Sequence, residues 1–132
     1  MPRTKPFDVY FKRYDVWFEK NRFAYLSELE AVRHFIPAYA HGVEIGIGSG
    51  RFAQKLGIEV GVEPSRQMRL LAQKRVLQVF DAVAEHLPFE DEQFDFALMV
   101  TTIFFLDNLQ LSFKEAKRVI KTRWQAHSWL CR

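Results

Sequence analysis

Between Phe7 and Ile36, apolar residues return every three or four positions with charged side chains between them. Val9, Trp17, Leu26, Leu29, Val32 and Phe35 trace this stripe. That period predicts helix, because it places the apolar residues on one face of a 3.6-residue turn. Asn21 divides the stretch into two helices, and Pro37 and Gly42 close it. From Val43 the pattern changes to short apolar runs separated by amphipathic stretches. Strands are predicted over 43–45, 58–62, 76–80 and 94–100, and helices over 52–56, 65–74 and 109–120. Strands alternating with helices imply βαβ units, a parallel sheet and right-handed crossovers. The expected fold is therefore a three-layer α/β sandwich with N-terminal helices added.

Composition narrows this picture. The chain has 132 residues, 48% of them hydrophobic and 27% charged, which suits one soluble globular domain. No apolar run approaches the roughly 20 residues that span a bilayer. No apolar core follows the basic residues of the first segment, so a cytoplasmic location is expected and no membrane partner. Cys131 is the single cysteine and has no intrachain partner, which fits a reducing compartment. The net charge is +3, but Arg123 and Arg132 account for most of the excess. Elsewhere the signs alternate, as in Glu28, Glu30 and Arg33, or Lys114, Glu115, Lys117 and Arg118. Such faces are solvated, and no nucleic-acid partner is expected. His34, His41, His86 and His127 lack metal-ligand spacing, so no metal is expected.

The candidate chemistry lies at the ends of the predicted strands. Glu44-Ile45-Gly46-Ile47-Gly48-Ser49-Gly50 places three glycines at alternate positions directly after the first strand. Glycines there allow a tight turn and a close approach of backbone to ligand, at the carboxyl edge of the sheet where ligands bind. Glu63, in Gly61-Val62-Glu63-Pro64-Ser65, follows the second strand. A carboxylate at that point is suited to accept from the two hydroxyls of a ribose. Pro64 stops the strand, and Ser65 caps the next helix. After the third strand comes Ala82-Val83-Ala84-Glu85-His86-Leu87-Pro88-Phe89, whose backbone is placed to read an adenine edge. Thr101 stands beyond the fourth strand, beside the glycine loop.

These four segments in this order resemble the class I S-adenosylmethionine-dependent methyltransferases, especially the branch acting on small molecules. The resemblance runs from about Pro37 to Lys121. It implies a Rossmann-like sheet, S-adenosylmethionine as cofactor and a small-molecule methyl acceptor as partner. It further implies that Glu44 and the loop containing Gly46, Gly48 and Gly50 hold the methionine portion. Glu63 and Pro64 would stand at the ribose, Ala84 and Glu85 at the adenine, and Thr101 near the sulfonium. Tyr10 or Tyr14 would line an active site covered by the N-terminal helices. No general base stands out among these residues.

Two alternatives belong to other classes. One is a non-catalytic S-adenosylmethionine-binding module. The other is a dinucleotide-binding domain, since 48–53 satisfies G-x-G-x-x-A. Against the second, Glu63 follows Gly48 more closely than the usual spacing of about 20 residues. The similarity to relatives stops after Lys121, where a Pro-Gly-Gly turn and an apolar strand are expected. The tail, 122–132, has neither. One choice of codons from Lys121 onward, read with a single adenine removed, restores Lys-Pro-Gly-Gly-Lys-Leu-Ile-Val-Gly-Phe-Val. The expectation is a frameshifted, truncated single domain: helices over 1–41, a cofactor-binding core over 42–121 and an aberrant tail. Its C-terminal strands would be missing, and the open sheet edge would favour self-association.

Overall fold

The computed structural model describes residues 3–76, 78–100 and 102–121. Two helices lead, α1 (Lys5–Lys20) and α2 (Arg22–Arg33). They are followed by β1 (Gly42–Ile45), α3 (Arg51–Leu56), β2 (Val60–Val62), α4 (Arg66–Ala72), β3 (Gln78–Phe80), β4 (Phe96–Leu98) and α5 (Leu109–Val119). The strands form one parallel sheet in the order β3-β2-β1-β4. The chain winds outward from β1 to β3, then crosses back to lay β4 on the other side of β1. Such a reversal leaves a crevice at the carboxyl ends of the strands. The β1 end, the β2 end, the loop after β3 and the segment after β4 all meet there.

Strand alternation decides which side chain enters which layer. Val43, Ile45, Val60 and Val62 point to one face, where they pack with Leu87, Phe94 and Val119 of the α5 side. Leu98 points to the other, with Ile47, Ala53, Ala72 and Val76 from the α3–α4 side. Glu44 lies between Val43 and Ile45 and so faces α3, where it is buried.

Asn21 does separate α1 from α2, its backbone N–H and side-chain amide both donating to the Trp17 carbonyl at 2.9 Å. The buried stripe agrees with the expected one at Leu29 and Val32 and departs from it elsewhere. Phe18, Tyr25, Leu29 and Val32 are buried, whereas Val9, Trp17, Leu26 and Phe35 are 40–59% exposed. The rotation of α2 is set by Tyr25, whose hydroxyl donates to the Arg51 carbonyl at 2.6 Å. Edge-to-face contacts of Phe18 with Tyr14, Tyr25 and Phe52 set the face of α1. Periodicity reveals that a helix has an apolar side, but these contacts choose its direction.

The second, third and fourth strands are shorter than predicted, whereas β1 begins one residue earlier, and a short 3₁₀ turn over Thr102–Phe105 follows β4. Helix α5 ends at Val119. Ile120 turns extended and forms a parallel bridge to Phe94 at the outer edge of the sheet. Phe94 donates to the Val119 carbonyl at 2.9 Å, and Lys121 donates to the Phe94 carbonyl at 2.8 Å. The edge expected to be open is thus paired at its start. The tail, 122–132, and Thr101 lie outside the described residues. Among the described residues no helix is long and apolar enough to cross a membrane.

Candidate functional site at the carboxyl edge

The three loop glycines all adopt positive φ: +72° at Gly46, +59° at Gly48 and +83° at Gly50. Their surroundings separate them. A Cβ on Gly46 would collide with the side chain of Thr102. One on Gly50 would lie 3.2 Å from the Ala72 Cα and the Val76 Cγ2. At Gly48 the nearest atoms are on the Tyr14 ring, 3.7 Å away. Gly46 and Gly50 therefore serve close packing as well as the turn, while Gly48 presents bare backbone to the crevice. The N–H groups of Gly46 and Ile47 both donate to the Val62 carbonyl, at 2.9 and 3.0 Å, which folds the loop over the end of β2.

Gly46, Gly48, Glu63, Pro64, Ala84 and Glu85 line one cleft, which contains about 670 Å³ of space with its open mouth included. Thr4, Phe7 and Tyr14 cover it, and Val100, Thr102 and Phe105 form its far wall. Glu63 is 7% exposed and each of its oxygens already accepts one backbone hydrogen bond. Oε2 accepts from Gly48 at 2.8 Å and Oε1 from Ser65 at 2.9 Å. Burial raises its proton affinity above the ordinary carboxylate value, and these two N–H groups oppose the rise. Each oxygen has capacity to accept a further hydrogen bond. Ser65 caps α4 as expected, its hydroxyl accepting from Met68.

Glu44 lines a smaller recess behind the loop, together with Gly46, Ser49 and Tyr14. Its proton affinity is raised well above the ordinary value, first by burial, with the Ala53 N–H opposing and the negative charge of Glu63 adding to the rise. Its Oε2 has no hydrogen-bond partner among the described residues. A buried carboxylate oxygen without a partner is costly, typically by about 1–3 kcal/mol. Glu85 is placed differently from Glu44 and Glu63. Its Oε1 accepts from the backbone of Asp107 and Asn108, at 2.9 and 3.1 Å, and ties the loop after β3 to the start of α5.

Several residues that the motifs do not reveal shape this site. Asp8 accepts from the Ser65 hydroxyl at 2.7 Å, holding the first turns of α1 over the start of α4. Asp15 pairs with Arg51 at 2.7 Å and Arg75 at 3.1 Å, and Arg75 also donates to the Ser49 carbonyl at 2.9 Å. Arg69 donates to the carbonyls of Glu63 and Pro64. Arg118 donates to the Leu87 and Phe89 carbonyls and pairs with Glu115, fixing the 85–89 segment. The available signal for the α1 residues was spacing. Phe7 and Tyr14, like Asp8 and Asp15, stand seven apart and share a helix face. Tyr14 is held in the neutral form by burial, reinforced by the charges of Glu44 and Glu63. No cluster of metal-ligating side chains occurs among the described residues.

The geometry accords with what this chain is similar to. Residues 43–123 match the methyltransferase domain family. A crystal structure of an S-adenosylmethionine-dependent methyltransferase from Thermotoga maritima, described as a possible histamine N-methyltransferase, is 52% identical with a TM-score of 0.84. The match covers 87% of this chain and 55% of that one. An uncharacterized protein of Methanocaldococcus jannaschii is 46% identical, over 87% of this chain and 56% of its own length. An uncharacterized protein of Mycobacterium tuberculosis is 36% identical, over 81% of this chain and 39% of its own length. The chain thus spans about half or less of the curated relatives it matches.

Proposed function

The chain belongs to the S-adenosylmethionine-dependent methyltransferase family, and on that premise we propose that its carboxyl-edge cleft holds the cofactor for methyl transfer to a small-molecule acceptor. The observation that carries this reading is the pair of buried acids beside the glycine loop. Glu44 offers an unpartnered oxygen, which suits the ammonium of a methionine moiety. Glu63 offers two oxygens, each with one lone pair already bonded and another free for a ribose hydroxyl. Gly48 leaves backbone bare between them. Ala84, with the backbone around it, stands where a planar base would lie, and Glu85 supports that segment from behind. The family assignment sets the dinucleotide alternative aside.

The cofactor, when bound, supplies an electrophilic methyl group on a sulfonium. Transfer to an atom that is already nucleophilic needs alignment and removal of water more than acid–base chemistry. Phe7, Tyr14 and Phe105 give the cleft an aromatic lining suited to exclude water. Isothermal calorimetry with S-adenosylhomocysteine tests the reading. Saturable one-site binding is expected, and nicotinamide dinucleotides should not compete. Tight dinucleotide binding with no response to S-adenosylhomocysteine would overturn it.

A further inference from the structure

A second cleft adjoins the first. It runs between α1 and the body of the domain, and it shares Phe7, Tyr14, Val100 and Phe105 with the cofactor cleft. It is the roomier of the two, with about 1240 Å³ of space including its open side. Tyr10, Trp17, Phe18 and Phe52 supply the rest of its aromatic wall. Tyr10 and Trp17 are 59% and 43% exposed, so ring surface is presented to this space instead of being packed away.

Two charged side chains line it, Arg13 and Glu28, and they are not paired with each other. Arg13 is exposed. Glu28 is half-buried, one turn beyond Tyr25 on α2, and no hydrogen bond or ion pair engages its carboxylate among the described residues. Burial raises its proton affinity. Its charge is felt at Tyr14, on the boundary between the two clefts. A carboxylate partly removed from water and left without a partner lacks a cation. Aromatic faces attract cations in the same space. Phe18 already shows this preference, since the Arg51 guanidinium lies 5.5 Å from its ring centroid.

We propose that this aromatic cleft is the acceptor site, and that Glu28 selects acceptors carrying an ammonium group on a compact ring-bearing skeleton. The proposal rests on the methyltransferase reading and names the substrate class of the same site. The ammonium meets Glu28, the ring lies against Trp17 and Phe18, and the remainder reaches toward Tyr14 and Val100 beside the cofactor cleft. Glu28 acts as the specificity-determining residue. Arg13 is the competing possibility, since a site organised by it would select carboxylates.

Tyramine and phloretate differ in bearing an ammonium or a carboxylate on similar p-hydroxyphenyl chains, so they separate the two outcomes. Each is titrated by calorimetry into protein saturated with S-adenosylhomocysteine. Tyramine should bind at least tenfold more tightly than phloretate. Glu28→Gln should abolish that preference while leaving the affinity for S-adenosylhomocysteine unchanged, which also shows that the variant is folded. Equal binding of the two probes, tighter binding of phloretate, or an unaltered preference in Glu28→Gln would overturn the proposal. Because the cofactor analogue is titrated separately, a protein that binds it normally yet ignores tyramine refutes only the acceptor inference. Failure to bind the analogue itself counts against the function from which the inference starts.

Discussion

Asp15 on α1 and Arg75, just beyond α4, meet at 3.1 Å, and the same guanidinium holds the Ser49 carbonyl of the glycine loop at 2.9 Å. One ion pair therefore joins the helix that covers the carboxyl-edge cleft to the glycine loop that lines it. Arg51 completes the cluster at 2.7 Å, and the three side chains are only 15–22% exposed. Burial pulls the Asp15 proton affinity up, but the hydrogen bonds led by Arg51 outweigh it and hold the carboxyl at about 2. A pair this shielded matters more than one in open solvent, because removing Asp15 takes the shared carboxylate from two half-buried guanidiniums, leaving Arg51 only the exposed Glu19 and Arg75 only the Ser49 carbonyl.

Asp15→Asn should accordingly lower stability by about 2 kcal/mol at neutral pH, with discounting for the residual exposure. It should also weaken S-adenosylhomocysteine binding through the loop. A depressed carboxyl contributes stability above its unfolded value, 3.8. That contribution is lost as pH falls toward about 2. The gap between wild type and variant in urea melts should therefore narrow below pH 4. A gap constant from neutral to acid pH would show that the pair does not hold the helix.

Glu63→Ala removes the acceptor for Gly48 and Ser65 and for any ribose hydroxyl. The expected loss in S-adenosylhomocysteine affinity is on the order of 1.5–3 kcal/mol, or about ten- to a hundredfold. Calorimetry gives the value directly. Unchanged affinity would remove the ribose assignment.

Comparing Gly48→Ala with Gly46→Ala separates binding from packing. Both impose a left-handed conformation on a residue with a Cβ, costing roughly 1–2 kcal/mol. Gly46→Ala adds a collision with Thr102, so its melting temperature should fall further. Gly48→Ala meets only ordinary contact with Tyr14. Its loss should appear mainly as weaker ligand binding, as should that of the bulkier Gly48→Val. Equal melting temperatures for the two alanine variants would refute the distinction.

Glu44→Gln replaces a buried acid with a neutral amide. A carboxyl whose folded proton affinity is raised contributes stability below its unfolded value, 4.5, and loses it as pH rises through the folded value. The ligand-free variant should therefore be more stable than wild type by about 1 kcal/mol at neutral pH. The advantage should grow as pH rises above 4.5 toward the raised folded value and vanish below 4.5. Binding of S-adenosylhomocysteine should weaken in the same protein. Scanning calorimetry across pH reads the stability, and a variant less stable than wild type at every pH would show that the charge is not a burden.

The amino-acid sequence by itself determined the sheet, its parallel sense and the position of the crevice. Those follow from local signals: alternating short apolar runs, the glycines after Ile45, and the Glu63-Pro64-Ser65 stop and cap. Glu63 was legible because strand, acid and cap are contiguous. The burial of Glu44 follows from two-residue alternation in β1, with Val43 and Ile45 taking the opposite face. Tertiary structure alone decided which side of α1 and α2 turns inward. Val9 and Trp17 are as apolar as Phe18, and only the ring contacts with Tyr25 and Phe52 distinguish them. It also decided that Gly46 packs where Gly48 stays open, because Thr102 reaches Gly46 from 56 residues away. Asp8, Asp15 and Glu28 sit in an ordinary pattern of helix charges, and Arg75 in the turn after α4 is equally unmarked. Their partners, or the lack of one, come from segments brought together only by the fold, and sequence periodicity carries no record of such meetings.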